Sequence, residues 1–225
     1  LLQSTVNIPQ AFTELVKNSI QNFSTSCRID FNDSCATIID DGQGFDHEKD
    51  ENGMSGFEKY FVFGNSYDLT GGKGVKLGQM GIGGKLANDK LSNEIDIHWT
   101  IETKNKHGKC FLVKYKPDGV EFLNEYSPEL TEITAEECSI TTDTGTKITI
   151  ATLKNNIQKE GWPSAAIKGE LCTFFGFLLP QLEKEGKKFD LILNGESLDF
   201  SYKLPGSNIP IIRREFEYDY YGEKR

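Results

Sequence analysis

The sequence from residue 9 to residue 23, PQAFTELVKNSIQNF, has the pattern of an amphipathic helix. Pro9 suits the first helical position, where a missing N–H costs nothing. Four apolar residues recur at helical spacing and would form one buried stripe: Phe12, Leu15, Val16 and Ile20. The segment therefore predicts a helix with one apolar face near the start of the chain.

Glu14 and Asn18 lie four residues apart on this helix, on a face other than the apolar stripe. A carboxylate and a carboxamide on a shared face could position a water molecule and coordinate a hard cation, since Mg²⁺ prefers oxygen ligands. A solvated polar face would carry the same two residues, so the pair by itself leaves both interpretations open.

Two short strands are predicted next, Cys27–Phe31 and Cys35–Asp40. The second strand runs into a glycine-rich loop, 40-DDGQG-44. Asp40 at the mouth of the strand, with glycines that leave room beside it, could accept a hydrogen bond from a flat ligand. The alternative is an ordinary Asp-Gly turn. The missing acidic ligands exclude an EF-hand calcium loop.

Glycine is most concentrated between residues 70 and 87, TGGKGVKLGQMGIGGKLA, where seven of the fourteen residues from Gly71 to Gly84 are glycine. Glycine on this scale marks a mobile segment or a close approach of the backbone to a ligand. A helix is predicted over residues 84–91, so backbone N–H groups before it could converge on an anion. The stretch matches neither common phosphate-binding glycine motif, and a flexible linker would have the same composition.

The rest of the chain predicts a short helix over residues 56–63 and a long one over residues 163–182. Strands are predicted at Glu94–Glu102, Cys110–Tyr115, Thr146–Ile150, Phe189–Leu193 and Leu198–Tyr202. These elements do not alternate regularly between strand and helix, which favours an α+β sandwich over a doubly wound sheet.

The composition is that of a globular chain, with 225 residues, 37% hydrophobic and 26% charged. The net charge of −9 argues against a nucleic-acid-binding surface, which needs clustered Lys and Arg. No apolar run reaches the ~18 residues of a membrane span. The five cysteines are scattered, so we expect free thiols and no structural zinc site. Because the chain begins at Leu1 without a Met, we expect a piece of a longer protein.

The polar and glycine-rich segments fall into four boxes in a characteristic order: 14-ELVKN-18, 40-DDGQGF-45, 78-GQMGIGG-84 and 145-GT-146. In this order they resemble the GHKL superfamily, which includes gyrase B, the heat-shock-ninety chaperones, histidine kinases and MutL, with the microrchidia ATPases as a further branch. The resemblance covers residues 9 to 200. The chaperone and microrchidia branches are the most similar in two segments, 62-VFGNS-66 and 78-GQMGIGGKLA-87.

The resemblance implies the Bergerat ATP-binding fold, a two-layer α/β sandwich of the α+β class with a mixed, mostly antiparallel sheet and helices on one face. It implies an ATP-binding domain over residues 1–204, followed at residues 205–225 by the truncated start of a transducer-like domain. Residues 64–80 would form a lid over the phosphates.

The resemblance also implies roles for individual residues. Glu14 would activate the attacking water as the general base, and Asn18 would hold Mg²⁺. Asp40 would accept a hydrogen bond from the adenine amino group, with Thr146 helping through an ordered water. The other residues expected to bind the nucleotide are Asn22, Gly42, Gly44, Phe45, Gly78, Gln79, Met80, Gly81, Ile82, Gly83, Gly84 and Lys85.

The implied activity is Mg²⁺-dependent binding of ATP and its slow hydrolysis, with lid closure and a nucleotide-dependent homodimer in the full-length protein. An ATP sensor without turnover and a protein kinase on the same fold stay open as alternatives, although no phosphoacceptor segment is visible. Family members often carry Asp where this chain has Gln21 and Asn where it has Asp41, which leaves the strength of nucleotide binding open. The expected location is the cytoplasm, or the nucleus for a microrchidia-like protein, without membrane contact.

In several branches of the superfamily, a lysine or arginine from the following domain reaches the γ-phosphate. That domain would begin near Pro205, so we expect a chain that ends at Arg225 to hydrolyse ATP more slowly than a longer chain.

Overall fold

The structure is a computed structural model. It describes residues 7–32, 34–45, 48–49, 53, 55–61, 83–92, 99–115, 129–151, 161–200, 219–220 and 223–224. Predictions for the segment 64–80, for Gly78, Gln79, Met80, Gly81 and Ile82, and for most of residues 205–225 therefore lie outside the described residues.

The helices are α1 (Ile8–Gln21), α2 (Gly56–Phe61), α3 (Gly83–Leu91) and α4 (Ser164–Lys184). The strands up to the middle of the chain are β1 (Ser26–Phe31), β2 (Ala36–Asp40), β3 (Trp99–Lys104), β4 (Cys110–Tyr115), β5 (Glu129–Ile133) and β6 (Gly145–Ile150). The later strands are β7 (Asp190–Leu193), β8 (Glu196–Ser197), β9 (Asp219–Tyr220) and β10 (Glu223–Lys224).

Helix α1 begins one residue earlier than the proline suggested, because Asn7 caps it. The Asn7 side chain accepts a hydrogen bond from the Gln10 backbone N–H, and the Gln10 side chain accepts one from the Asn7 backbone N–H. This reciprocal arrangement satisfies two donors that a helix start otherwise leaves unpaired. The predicted stripe is the buried face, with Phe12, Leu15 and Val16 almost fully buried.

Eight strands form one sheet in the order β5-β4-β3-β6-β2-β1-β7-β8. The pairing of β1 with β7 is parallel, and the other pairs in this sheet are antiparallel. Strands β9 and β10 form a separate antiparallel pair. A mixed, mostly antiparallel sheet covered by helices confirms the predicted α+β sandwich.

The core lies between the helices and the sheet, and α1 contacts both α3 and α4. The helices α1, α3 and α4 contribute these residues to the core: Ala11, Phe12, Leu15, Val16, Ala87, Leu91, Ile167, Leu171, Phe175, Leu179 and Leu182. Buried residues alternate along β2 and β3, as expected for strands with one face against a core. Phe12, Phe31 and Trp162 stack together with ring centroids 4.8–5.9 Å apart, which ties α1 to the sheet beside the start of α4.

The strands differ most from the sequence predictions in three places. Strand β5 was not predicted, and the predicted strand over Leu198–Tyr202 is wrong at its start, because the strand lies at Glu196–Ser197. The two-residue turn at Asn194 and Gly195, both with positive φ, brings the chain straight back onto β7. Of the strand predicted over Glu94–Glu102, the described part begins at Trp99 and continues to Lys104.

Within the described parts of the chain, no helix is long and apolar enough to cross a membrane. In the same parts no cluster of three or more His, Cys, Asp or Glu residues could hold a metal ion. The five cysteines are free thiols.

Candidate functional site

The sequence boxes that lie within the described residues meet where α1 crosses the ends of two neighbouring strands. Asp40 closes β2 and pairs with Thr146 on β6, so the two side chains belong to adjacent strands. A side chain at position 145 would overlap the Asp40 carbonyl oxygen, which explains why glycine precedes Thr146. Helix α1 supplies Ser19, whose hydroxyl lies 3.0 Å from the Asp40 carboxylate.

Asp40 is a buried carboxylate with three hydrogen-bond donors. Ser19 Oγ donates to Oδ2 at 3.0 Å, while Ser24 Oγ and the Gly42 backbone N–H donate to Oδ1 at 3.2 and 3.0 Å. Burial raises the pKa of the Asp40 carboxyl from 3.8 to about 6, because desolvation disfavours the charged form. The three donors lower the pKa in part, and the charge of Asp41 raises it further. The site thus holds an acceptor whose charge is only partly compensated.

Asp40 should make the stability of the protein depend on pH. Its pKa is higher in the folded protein than in the unfolded chain, so between pH ~4 and ~6 the folded state binds more protons. The stability contributed by the protonated group is fully present below pH ~4 and is lost as the pH rises to ~6. We expect Asp40→Asn to raise the free energy of unfolding at pH 7 by about 1–3 kcal/mol relative to the native chain, with little difference at pH 4.

Urea unfolding of both proteins at the two pH values measures this difference. Asp143→Asn is the matched control, because Asp143 is exposed in the turn before β6. An Asp40→Asn protein with the same advantage at pH 4 as at pH 7, or with none at either, would contradict the assignment of an only partly compensated charge to Asp40.

Thr146 carries a buried hydroxyl. Its Oγ1 is buried and accepts or donates no hydrogen bond within the described part of the chain. An orphaned buried polar atom costs about 1–3 kcal/mol unless water or a ligand satisfies it. Thr146 is paired with Asp40 on the adjacent strand, so this hydroxyl and the carboxylate form a polar pair at the same edge of the sheet.

The glycines of the loop after β2 are required by its path. A side chain at Gly42 would lie 2.6 Å from Ser24 Oγ and 2.7 Å from the Asn22 carbonyl oxygen. Gly44 has φ +68°, and a side chain there would overlap the Lys104 carbonyl oxygen. Asn22 ends α1 and accepts a hydrogen bond from the Gln43 backbone N–H at 3.0 Å. The loop is therefore pressed against the end of α1 and the end of β3.

Phe45 follows this loop, and a hydrogen bond from its own backbone N–H holds it in place. Its N–H donates to Thr103 Oγ1 at 2.8 Å, and that hydroxyl donates to the Gly145 carbonyl at 3.2 Å. The ring packs on Tyr60 of α2 with centroids 5.0 Å apart. Phe45 is half-buried and remains a predicted neighbour of the ligand.

Glu14 and Asn18 lie on α1 as predicted, and each has a defined neighbour. The Asn18 carboxamide packs against Gly84 at the start of α3, so closely that any side chain at position 84 would overlap it. The first carbon of a side chain at position 84 would also lie 3.1 Å from Tyr60 Oη. Glu14 forms an ion pair with Lys17, with Nζ 2.5 Å from Oε1. Gly83 begins α3 and Lys85 lies in its first turn.

Several contacts of the site were not predicted from the sequence. Ser19 occupies the apolar stripe, four residues after Leu15, and a hydroxyl at such a position is a signal that a buried polar group needs it. Ser24 had no such signal. Asp41, the departure from the family pattern, accepts from the Thr25 and Ser26 backbone N–H groups at 2.8 and 2.9 Å. Its carboxylate therefore anchors the start of β1.

Comparison with solved structures places the fold among ATPase regions. Two structures of the ATPase region of Saccharomyces cerevisiae topoisomerase II, one of them bound to dexrazoxane, are similar with TM-scores of 0.55 and 0.56 and identities of 17% and 16%. Each match covers 85% of this chain and 48% of the other, so the chain spans about half the length of those structures. At this identity the likeness concerns the fold. A comparison with curated proteins found no match.

A family model described as histidine kinase-, DNA gyrase B- and HSP90-like ATPase matches residues 6–146, which is more than half of the chain. The match runs from just before α1 to Thr146, so it includes the residues of all four boxes. The chain belongs to the family of histidine kinase-, DNA gyrase B- and HSP90-like ATPases.

Proposed function

We propose that this chain binds ATP together with Mg²⁺ and hydrolyses it slowly to ADP and inorganic phosphate. The observation that carries the proposal is the buried pair of Asp40 and Thr146. The carboxylate accepts hydrogen bonds and the neighbouring hydroxyl lacks a partner among the described residues, which suits the amino edge of adenine. The family match supports ATP as the ligand.

Hydrolysis is assigned to α1. Glu14 accepts a proton from a water molecule as the water oxygen bonds to the γ-phosphorus and the bond to the ADP oxygen breaks. Asn18, four residues further on, holds Mg²⁺, which when bound neutralises charge on the phosphate oxygens. The N–H groups that precede and open α3, including those of Gly83 and Gly84, bind the phosphates, and closure of residues 64–80 over them belongs to the same proposal.

Residues 1–204 are proposed as the ATP-binding domain, with residues 205–225 beginning the next one and dimerisation following nucleotide binding. The position of β7 supports a domain that extends well beyond the family match, because β7 pairs in parallel with β1 and so belongs to the same sheet as β2 and β6. A non-hydrolysing ATP sensor is the second candidate, and it applies if the ion pair with Lys17 restrains Glu14 instead of positioning it.

Calorimetric titration with ATP, with and without Mg²⁺, combined with an assay of phosphate release, tests the proposal. The informative variant is Gly84→Ala, because the added methyl group would occupy the place of the Asn18 carboxamide. That carboxamide is the end of a rotatable side chain, so the fold can accept the methyl group by turning Asn18 away. Losing the orientation of a metal ligand typically costs ten- to a hundredfold, so we expect Mg²⁺-dependent ATP binding to weaken by about that factor.

Gly169→Ala is the matched control, since a methyl group at that position of α4 meets no other atom within 4 Å. It should leave binding unchanged and stabilise the helix slightly. The native chain should bind ATP and release phosphate. A chain that binds no ATP, or a Gly84→Ala protein that binds Mg-ATP like the Gly169→Ala protein, would count against the proposed site.

A further inference from the structure

Lys17 holds an unusual position for a lysine. Its side chain is only 13% exposed, and its ammonium lies 2.5 Å from Glu14 Oε1. The same ammonium lies 4.8 Å from the centroid of the Phe174 ring on α4. The lysine is therefore enclosed between its own helix and α4, with a carboxylate and an aromatic face as its partners.

Such a contact differs from an ordinary surface ion pair. Exposed pairs contribute little, because water screens them and both side chains remain mobile. The Lys17 side chain is instead mostly buried, so it has little freedom to move, and a carboxylate and an aromatic face lie beside its ammonium. The ion pair of Lys17 and Glu14 is thus a fixed feature of α1.

The helix places Lys17 and Asn18 on opposite flanks of Glu14. Each residue advances about 100° around a helix, so Lys17 lies about 60° to one side of Glu14 and Asn18 about 40° to the other. Asn18 meets α3 at Gly84, whereas Lys17 meets α4 at Phe174. Lys17 engages Oε1, and no donor among the described residues engages Oε2.

We propose that Lys17 is a positioning residue for Glu14. By holding Oε1 from the side of α4, it turns Oε2 toward the flank where Asn18 lies, and Oε2 takes the proton from the attacking water. This inference rests on the proposed function, since it assigns a task to Lys17 within that hydrolysis. Geometry of this kind affects turnover more than binding, because a displaced base misses the water while the nucleotide contacts remain.

The test compares Lys17→Met, Lys17→Arg and Lys168→Met with the native chain in steady-state ATP hydrolysis. Methionine keeps much of the packing against Phe174 and removes the charge, whereas arginine keeps the charge. We expect Lys17→Met to lower kcat about tenfold or more with KM nearly unchanged, and Lys17→Arg to recover most of the loss. Lys168 is the matched control, because its ion pair with Glu196 is exposed, and its replacement should leave kcat unchanged.

A second readout needs no turnover. In the ligand-free protein, NMR of the lysine ammonium groups should detect Lys17 as a slowly exchanging signal that is lost in Glu14→Gln. The double variant Glu14→Gln/Lys17→Met should hydrolyse ATP no more slowly than Glu14→Gln alone, since both changes act through one carboxylate. Observation of the ammonium signal together with this non-additivity supports the proposal.

The results separate this inference from the proposed function. A native chain without ATP turnover overturns both. An inactive Glu14→Gln protein beside a Lys17→Met protein of native kcat overturns the role of Lys17 alone. A Lys17→Met protein with raised kcat also overturns it, because Lys17 would then restrain the base.

Discussion

Replacing Glu14 by glutamine is expected to lower the kcat of ATP hydrolysis by about 100- to 10,000-fold while leaving ATP affinity close to that of the native chain. Glutamine has nearly the same shape, so the helix stays in place, although the ion pair with Lys17 is lost. Its carboxamide, however, has negligible basicity and does not take a proton from water. The affinity should persist because Asp40, Thr146 and the phosphate-binding backbone are untouched.

Phosphate release and calorimetric ATP binding, measured on the same preparation, check this expectation. Glu183→Gln is the control, since Glu183 lies exposed on α4 and undergoes the same chemical change. Native turnover in the Glu14→Gln protein would show that Glu14 is not the general base. Loss of ATP binding together with turnover would indicate instead that Glu14 contributes to the binding of nucleotide or metal.

Replacing Asp40 by asparagine is expected to weaken ATP binding about ten- to a hundredfold and to reduce the preference of the native chain for ATP over GTP. A hydrogen bond to a charged group is worth about 1.5–3 kcal/mol, which sets this range. Adenine presents an amine where guanine presents a carbonyl, so the carboxylate accepts a hydrogen bond from adenine, whereas the guanine carbonyl places a second acceptor against it. Asparagine can turn its amide to donate to the guanine carbonyl, so GTP binding should improve relative to ATP.

Asp41→Asn is the control for this change, because it neutralises the adjacent carboxylate. Asp41 accepts from Thr25 and Ser26 at the start of β1, so its replacement should leave the ratio of ATP to GTP affinity unchanged. Calorimetric titration of the three proteins with both nucleotides decides the matter. Equal affinity of the native chain for ATP and GTP would refute the role of Asp40 in selecting the base.

The Asp40→Asn protein would combine two opposite effects. It should unfold less readily at neutral pH, since a buried charge that is only partly compensated is removed, and it should bind ATP less well. Binding sites often retain such destabilising groups because the same incomplete solvation strengthens their contact with the ligand. The buried hydroxyl of Thr146, which has no hydrogen-bond partner in the described parts of the chain, belongs to the same pattern.

Local patterns in the sequence predicted α1, the first strands and the boxes that carry the chemistry. Helical spacing marks the face of α1 with Phe12, Leu15 and Val16, and the same spacing puts Glu14 and Asn18 on another face. The positive φ of Gly44 agrees with a glycine-rich loop after β2. Gly78 to Ile82 lie outside the described residues, so their contact with phosphate stays a prediction.

By itself, the sequence determined which residue types could bind and hydrolyse a nucleotide and on which elements they lie, because helical and strand periodicity act over a few neighbouring residues. Only the tertiary structure decided what surrounds them. Ser19 and Ser24 reach Asp40 across 21 and 16 residues of chain, and Lys17 meets Phe174 on a helix far along the sequence. Strand order and side-chain environment depend on long-range packing, which sets burial and hence the pKa of Asp40, and which brings Phe174 against Lys17.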